Sequence, residues 1–383
     1  MPAEDHVKFR LTAGDSCVYY RPAQIEGGKM YDSIRPGQVW LDTEGKRIQA
    51  HGGSVIAVED TFYWYGENKE KTDGKNGIWH WGVRCYSSKD LYNWKDEGLI
   101  IPPCPDDPSS PLHPSAMMDR PHIVFNKKTS KFVAWLKIMG EPPKFAVLTA
   151  DHILGPYTMV NPACNPCGLA VGDFDIDIEP TDGKAYLFSE RPHITMYIAD
   201  LNDTYTDAVG HYTEHFPKAG PPETREAPAH FCRKGLHYLI TSGTSGYHPN
   251  PSEVAVSRLW HGPYTVQGNP HRNDASMTSF GSQISCVFRH PGKKDLYIAM
   301  ADRWMPDLSE REGEDYFNGK GWKRMEEKFR KIFDPDTEFV FSPEDAKEMF
   351  INSSVSDYVW LPIVFEGDRA FIDWRDEWRI EEF

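Results

Sequence analysis

Glu226 stands in Arg225-Glu226-Ala227-Pro228, directly ahead of a β-prone run that begins at Ala229. Polar residues precede other runs of the same kind. They are His51 ahead of Gly52-Gly53, Asp119 and Arg120 ahead of Pro121-His122, Asp173 and Asp175 around Phe174, and Gln283 after Gly281-Ser282. Charged groups beside apolar runs are costly unless they are paired or used. Cleavage of a glycosidic bond needs one protonated carboxyl for the leaving oxygen and a second group to activate water. Carboxyls crowded together supply the first, because neighbouring negative charge and burial raise the pKa of one member. Pro228 biases Ala227 away from the helical region, which predicts an extended, exposed presentation of Glu226. The competing reading is a structural ion pair of Glu226 with Arg225 or Arg120, since such networks mimic sites.

These residues converge only if the runs behind them do. Five β-hairpins can be read: Ser54–Tyr65, Ile123–Trp135, Ile176–Phe188, Ala229–Ile240 and Ser285–Ala299. Each joins two β-prone runs through a turn carrying Gly, Asn or Asp. A second hairpin follows most of them, and spacings of roughly 50–70 residues are the signature of a β-propeller. The expected fold is therefore all-β, one five-bladed propeller over residues 1–383. Its last blade is split, with an outer hairpin Leu361–Trp374. The split leaves a charged insertion near 310–357, where Trp322–Phe329 has helical spacing and Ser342-Pro343-Glu344-Asp345 reads as a second helix start.

Composition excludes several partners. The 383 residues carry a formal net charge of −15, so neither nucleic acid nor an anionic membrane is expected. Twelve Trp, 18 Tyr and 20 Phe suit pleated sheets and the flat C–H faces of sugars. No apolar stretch spans a bilayer, and Met1 is followed by polar residues. Seven dispersed cysteines predict reduced thiols and a cytoplasmic location, although a chain trimmed of a signal peptide reads the same way. Cys164-Asn165-Pro166-Cys167 has no second pair, so no metal is expected there.

Taken together, several phrases resemble glycoside hydrolase family 43. They are Arg225–Pro228, Asp119–Asn126, Asp182-Gly183-Lys184-Ala185-Tyr186, Ser282-Gln283, His51-Gly52-Gly53, Tyr63–Asn68, Cys85–Ser88, Asp90–Trp94 and Asp302-Arg303-Trp304. The likeness is closer to the subgroup containing exo-β-1,3-galactanases, and it spans roughly His51 to Trp378. It implies Glu226 as general acid, Asp175 as the carboxylate that tunes it, and Gln283 as the group that handles water. The family's usual Asp base would fall near Gly52, where this chain has no carboxylate. Asp119 and Glu67 are the alternative bases, because an amide is a poor one. Sugar contacts are implied for Asp119, Arg120, Glu67, His51, Thr244, Arg303 and Trp304. The first of these is usually Glu in the subgroup. His51 could equally be a plain hydrogen-bonded residue, and Trp79-His80-Trp81 could be a platform or a packed pair. No cofactor is required, and a structural Ca²⁺ in the propeller channel is possible.

The activity implied is exo-acting release of galactose from β-1,3-galactan-type oligosaccharides, with inversion. An α-L-arabinofuranosidase or β-D-galactofuranosidase is the alternative chemistry. A non-catalytic sugar-binding propeller is the alternative of another class.

Overall fold

The computed structural model describes residues 30–334, 336–337, 340, 342 and 351–383. Its strands form five sheets, four of them wholly antiparallel. The first blade is β1 (His51–Val58), β2 (Thr61–Glu67), β3 (Val83–Ser88) and β4 (Lys95–Ile101). The second is β5 (Met117–Asn126), β6 (Lys131–Met139), β7 (Lys144–Ala150) and β8 (Thr158–Cys164). The third is β9 (Phe174–Ile178), β10 (Ala185–Arg191), β11 (Thr195–Leu201) and β12 (Ala208–His215). The fourth is β13 (Arg225–Arg233), β14 (Leu236–Gly243), β15 (Glu253–Ser257) and β16 (Thr265–Gly268). The fifth contains β18 (Gln283–Arg289), β19 (Tyr297–Arg303), β20 (Asp357–Glu366) and β21 (Arg369–Asp373), with β17 (His271–Arg272) added parallel to β21.

The inner strands β1, β5, β9, β13 and β18 each touch the next, and β18 touches β1, so the ring closes. The five-bladed propeller expected from the hairpins is the fold. Burial follows position in the blade. β10, β11 and β14 are apolar-rich and buried along almost their whole length because neighbouring blades cover both faces, whereas β8, β12 and β16 are mostly open to solvent. The seam between blades one and five is packed by Trp64, Trp94, Trp360 and Trp378. Ile34 pairs with Trp378 there, which ties the first described segment to the last.

The split fifth blade is also observed. Between β19 and β20 the chain leaves the sheet and forms α1 (Leu308–Glu312), α2 (Glu314–Phe317) and α3 (Lys320–Ile332). The helical spacing read at Trp322–Phe329 lies within α3. The second helix start expected at Pro343-Glu344-Asp345 lies outside the described residues.

Candidate active site

The hairpin register explains why particular residues meet. At one end of each inner strand, equivalent ladder pairs are His51 with Glu67, Asp119 with Lys137, Glu226 with Ser242, and Gln283 with Asp302, of which Glu67, Asp119, Lys137, Glu226 and Gln283 face the channel mouth. In the third blade the corresponding pair is Asp173 with Glu190, joined by the Glu190 N–H donating to the Asp173 carbonyl at 2.8 Å. Just past this pair the ladder slips by a bulge in blades one, two and four. The middle residue of each bulge has left-handed φ: Gly52 at 60°, Arg120 at 47° and Ala227 at 49°. Glu226 is thus presented by a bulge, not by the extended strand that Ala227-Pro228 led us to expect. Bulges re-aim side chains beside active sites, and strained non-Gly φ values cluster there.

These ends surround a cavity of about 440 Å³. Of the residues expected to form the site, Glu226, Gln283, Asp119, Arg120, Glu67, Thr244 and Trp304 line it. Asp175 does not. It lies two pairs deeper, opposite Phe188, where it accepts the His230 N–H at 2.7 Å and sits 3.3 Å from His122. Asp173 lines the cavity in its place. His51 also lies beneath the cavity wall, 3.1 Å from Asp302 and 3.3 Å from the Tyr358 hydroxyl. Arg303 is turned to the Phe280 carbonyl, to which it donates at 2.9 Å. The Thr244 hydroxyl donates to the Thr224 carbonyl at 3.0 Å. Trp304 is a buried wall rather than an open platform, with its indole N–H directed to Gln283 Oε1 at 3.4 Å. Trp79 lines the cavity and donates to Asp119 at 2.6 Å.

The ionic network assigns different charge states. Arg120 donates through Nη2 to Gln283 Oε1 at 2.5 Å, and its Nε lies 2.8 Å from Asp173. Lys137 lies 2.6 Å from Asp173 and 3.2 Å from Asp119. Burial alone would raise the pKa of Asp173, but Arg120 and Lys137 outweigh it and hold it down at about 2. Glu226 is displaced the other way. Burial raises its pKa well above the ordinary carboxyl value, and the charges of Asp173 and Glu190 push further against the opposing pull of Arg120 and Lys137. Neither expected ion-pair partner is committed to Glu226: Arg120 serves Asp173 and Gln283, and Arg225 donates to Thr241. Gln283 Nε2 donates to Glu226 Oε1 and to Ser242 Oγ, both at 2.9 Å.

Glu67 takes the space at blade one. Any Cβ at position 52 would meet Glu67 Oε1 at 2.5 Å, so glycine there makes room for Glu67. Glu67 accepts the Arg120 backbone N–H at 2.8 Å, and its second oxygen lies 2.7 Å from Lys69. Burial raises its pKa to about 7 against the pull of Lys69.

Reading the sequence missed Asp173 as the group facing Glu226, and missed Lys137 and Glu190 altogether. Counting back from the Thr181-Asp182-Gly183 turn would have located Asp173 and Glu190, because equal register places equivalent pairs at the mouth. The cavity's far side was also missed: Met117, Met139, His193 and the α3 face contribute to it. Among the described residues, two groups could hold a metal ion, His230-Cys232-His237 and Asp200-His211-His261. Neither lines this cavity.

Solved structures resemble the chain over most of its length. A family 43 β-1,3-galactosidase is 28% identical with a TM-score of 0.72, over 92% of this chain and 64% of its own, so this chain spans under two thirds of that protein. A second β-1,3-galactosidase, solved with galactodeoxynojirimycin, is 26% identical with a TM-score of 0.72, over 91% of this chain and 100% of its own. The exo-β-1,3-galactanase of Phanerochaete chrysosporium, solved with galactose, is 25% identical with a TM-score of 0.70, over 91% of this chain and 68% of its own. No curated protein sequence matched the chain. The sequence profile of glycosyl hydrolases family 43 matches residues 48–305, two thirds of the chain. This protein belongs to glycosyl hydrolases family 43.

Proposed function

We propose that this protein is an exo-acting glycosidase that releases galactose from the non-reducing end of β-1,3-linked galactosides, with inversion. The observation that carries the reading is one cavity in which Asp173 lies 2.8 Å from Arg120 and 2.6 Å from Lys137 while buried Glu226 accepts from the Gln283 amide, surroundings that favour the charged form of Asp173 and the neutral form of Glu226. Environments that drive paired carboxyls apart mark acid and charged roles. Similarity to two solved β-1,3-galactosidases and an exo-β-1,3-galactanase supports this sugar and linkage.

In this reading Glu226 protonates the leaving oxygen. The Gln283 amide occupies Glu226 Oε1 as a donor, which leaves the acidic proton on Oε2. Gln283 Oε1 already accepts from Arg120 and Trp304, so it is poorly placed to take a proton from water. Glu67 suits that task better, because a base works best with its pKa near the operating pH. Asp119, Arg120 and Lys137 hold hydroxyls of the terminal sugar.

The test is incubation with β-1,3-galactobiose while the anomeric signals are followed by NMR. Release of galactose, first as the α anomer, supports the reading. Release of arabinose from an arabinofuranoside with no action on galactobiose overturns the sugar assignment. Tight galactose binding with no turnover of any glycoside overturns the enzyme assignment.

A further inference from the structure

We infer that the turn end of the blade-four hairpin is a zinc site formed by His230, Cys232 and His237. It lies at the opposite end of β13 from Glu226, and it does not depend on the sugar assignment.

The site follows from hairpin register. β13 and β14 are joined through Lys234-Gly235, with φ of 52° and 76°. Positive φ at both central residues is what a type I′ turn requires. That tight turn sets Cys232 directly opposite His237. His230 precedes Cys232 by two residues, so strand alternation puts it on the same face. The three side chains converge there. His237 Nδ1 lies 3.2 Å from His230 Nε2 and 3.1 Å from Cys232 Sγ, and one donor atom from each residue falls within 4.8 Å of the other two. Tetrahedral zinc at ordinary bond lengths needs an N···N edge of about 3.3 Å and an N···S edge of about 3.6 Å. The first edge is already present, and the second needs a shift of about half an ångström in a side chain that rotates about one bond.

The surroundings prepare the ligands. His230 Nδ1 lies 2.8 Å from Asp177 Oδ2. A carboxylate there keeps the ring proton on Nδ1 and leaves the Nε2 lone pair for a metal. The His230 ring stacks on Phe188 at 4.2 Å, and Trp260 lies 4.9 Å from it and 4.6 Å from His237, so both imidazoles are fixed in place. Burial raises the pKa of the Cys232 thiol, and the charges of Asp177 and Glu179 raise it further. The same two carboxylates attract a dication. Its binding forms a metal–sulfur bond, breaks the S–H bond and releases that proton to water. Two imidazoles and a thiolate select zinc over calcium or magnesium, and three protein ligands leave the fourth position to water. The Asp200-His211-His261 group offers no sulfur, and its carboxylate lies 2.7 Å from Lys184.

The test uses Co²⁺ as a spectroscopic substitute for Zn²⁺, titrated into the whole reduced protein after chelator treatment. The expected result is a thiolate-to-cobalt charge-transfer band that saturates at one equivalent, is removed by Zn²⁺ and is unaffected by Ca²⁺. Zn²⁺ should also raise the melting temperature of the wild type. Cys232→Ser, checked for native circular dichroism, should lose the band and the thermal shift. Asp177→Asn should keep the band with about 10–100-fold weaker binding, the usual effect of removing a carboxylate behind a histidine ligand. Cys164→Ser/Cys167→Ser should behave as the wild type. Absence of the band in the wild type, its survival in Cys232→Ser, or its loss in Cys164→Ser/Cys167→Ser overturns the inference.

Discussion

Glu226 and Asp173 share the same cations, Arg120 and Lys137, yet stand on opposite sides of the ionisation balance. Asp173 has direct contact with both cations, whereas Glu226 contacts an amide and feels Asp173 as an unfavourable charge. Removing the charge of Asp173 therefore makes it easier for Glu226 to ionise. Asp173→Asn is expected to move the alkaline limb of the pH profile of kcat/KM to lower pH, because the acid loses its proton sooner. Asp175→Asn, whose carboxylate faces His230 and His122, should leave that limb in place. If instead Asp175→Asn moves the limb and Asp173→Asn does not, the tuning role belongs where the family resemblance put it. Glu226→Gln should lower kcat about 10²–10⁴-fold, the usual contribution of a positioned acid. At this scale the sequence was legible for the place of Glu226 at the cavity. It was ambiguous between two aspartates two residues apart, because side-chain alternation gives both the same face and only depth separates them.

Each inner strand runs cleanly from its turn and then slips just before the residue it presents, in blades one, two and four. At Gly52 this geometry leaves little tolerance, with left-handed φ and no room for a Cβ beside Glu67. Gly52→Ala is expected to cost about 1–2 kcal/mol from the backbone alone and to displace the Glu67 carboxylate. Urea denaturation and kcat/KM measure the two effects, and an alanine variant with native activity would show that Glu67 has no positional role. Hairpins could be read from β-prone runs and turn residues, since both are local. The bulges could not, because Pro121 and Pro228 are compatible with either an extended or a kinked strand and the partner strand decides. The α3 periodicity was legible as a helix, but its destination was not. Nothing local says that Met325, Phe329 and Ile332 line the cavity.

The whole ring depends on a seam between its first and last blades. Trp378 is fully buried there, and its indole N–H donates to the Trp360 carbonyl at 2.9 Å. Trp378→Ala should cost about 3–5 kcal/mol, the range for a buried large-to-small change, read as a lower urea midpoint. The repeat count was legible because five similar hairpins recur at even spacing, whereas the closing contacts join residues some 340 positions apart, Ile34 and Trp378, with no local signature. The cavity also leaves a mark on overall stability. Glu67 and Glu190 both have folded-state pKa values of about 7, raised chiefly by burial from 4.5. The folded protein therefore binds more protons than the unfolded chain between those values, and stability falls as pH rises from 4.5 through 7. Asp173 acts oppositely at lower pH, its contribution being present above 3.8 and lost as pH falls through about 2. Thermal unfolding of Glu190→Gln beside the wild type should show the variant gaining relative stability across pH 4.5–7, and a constant difference would remove Glu190 from this account.

Glu226 is expected to carry a proton in the resting protein at a pH where ordinary carboxyls have lost theirs. Infrared difference spectroscopy of the wild type against Glu226→Gln, at pH 6 without substrate, reads that proton directly through the C=O stretch of a neutral carboxylic acid. The account predicts that this band is present in the wild type and missing in the variant. A difference spectrum showing loss of ionised carboxylate bands instead would contradict it.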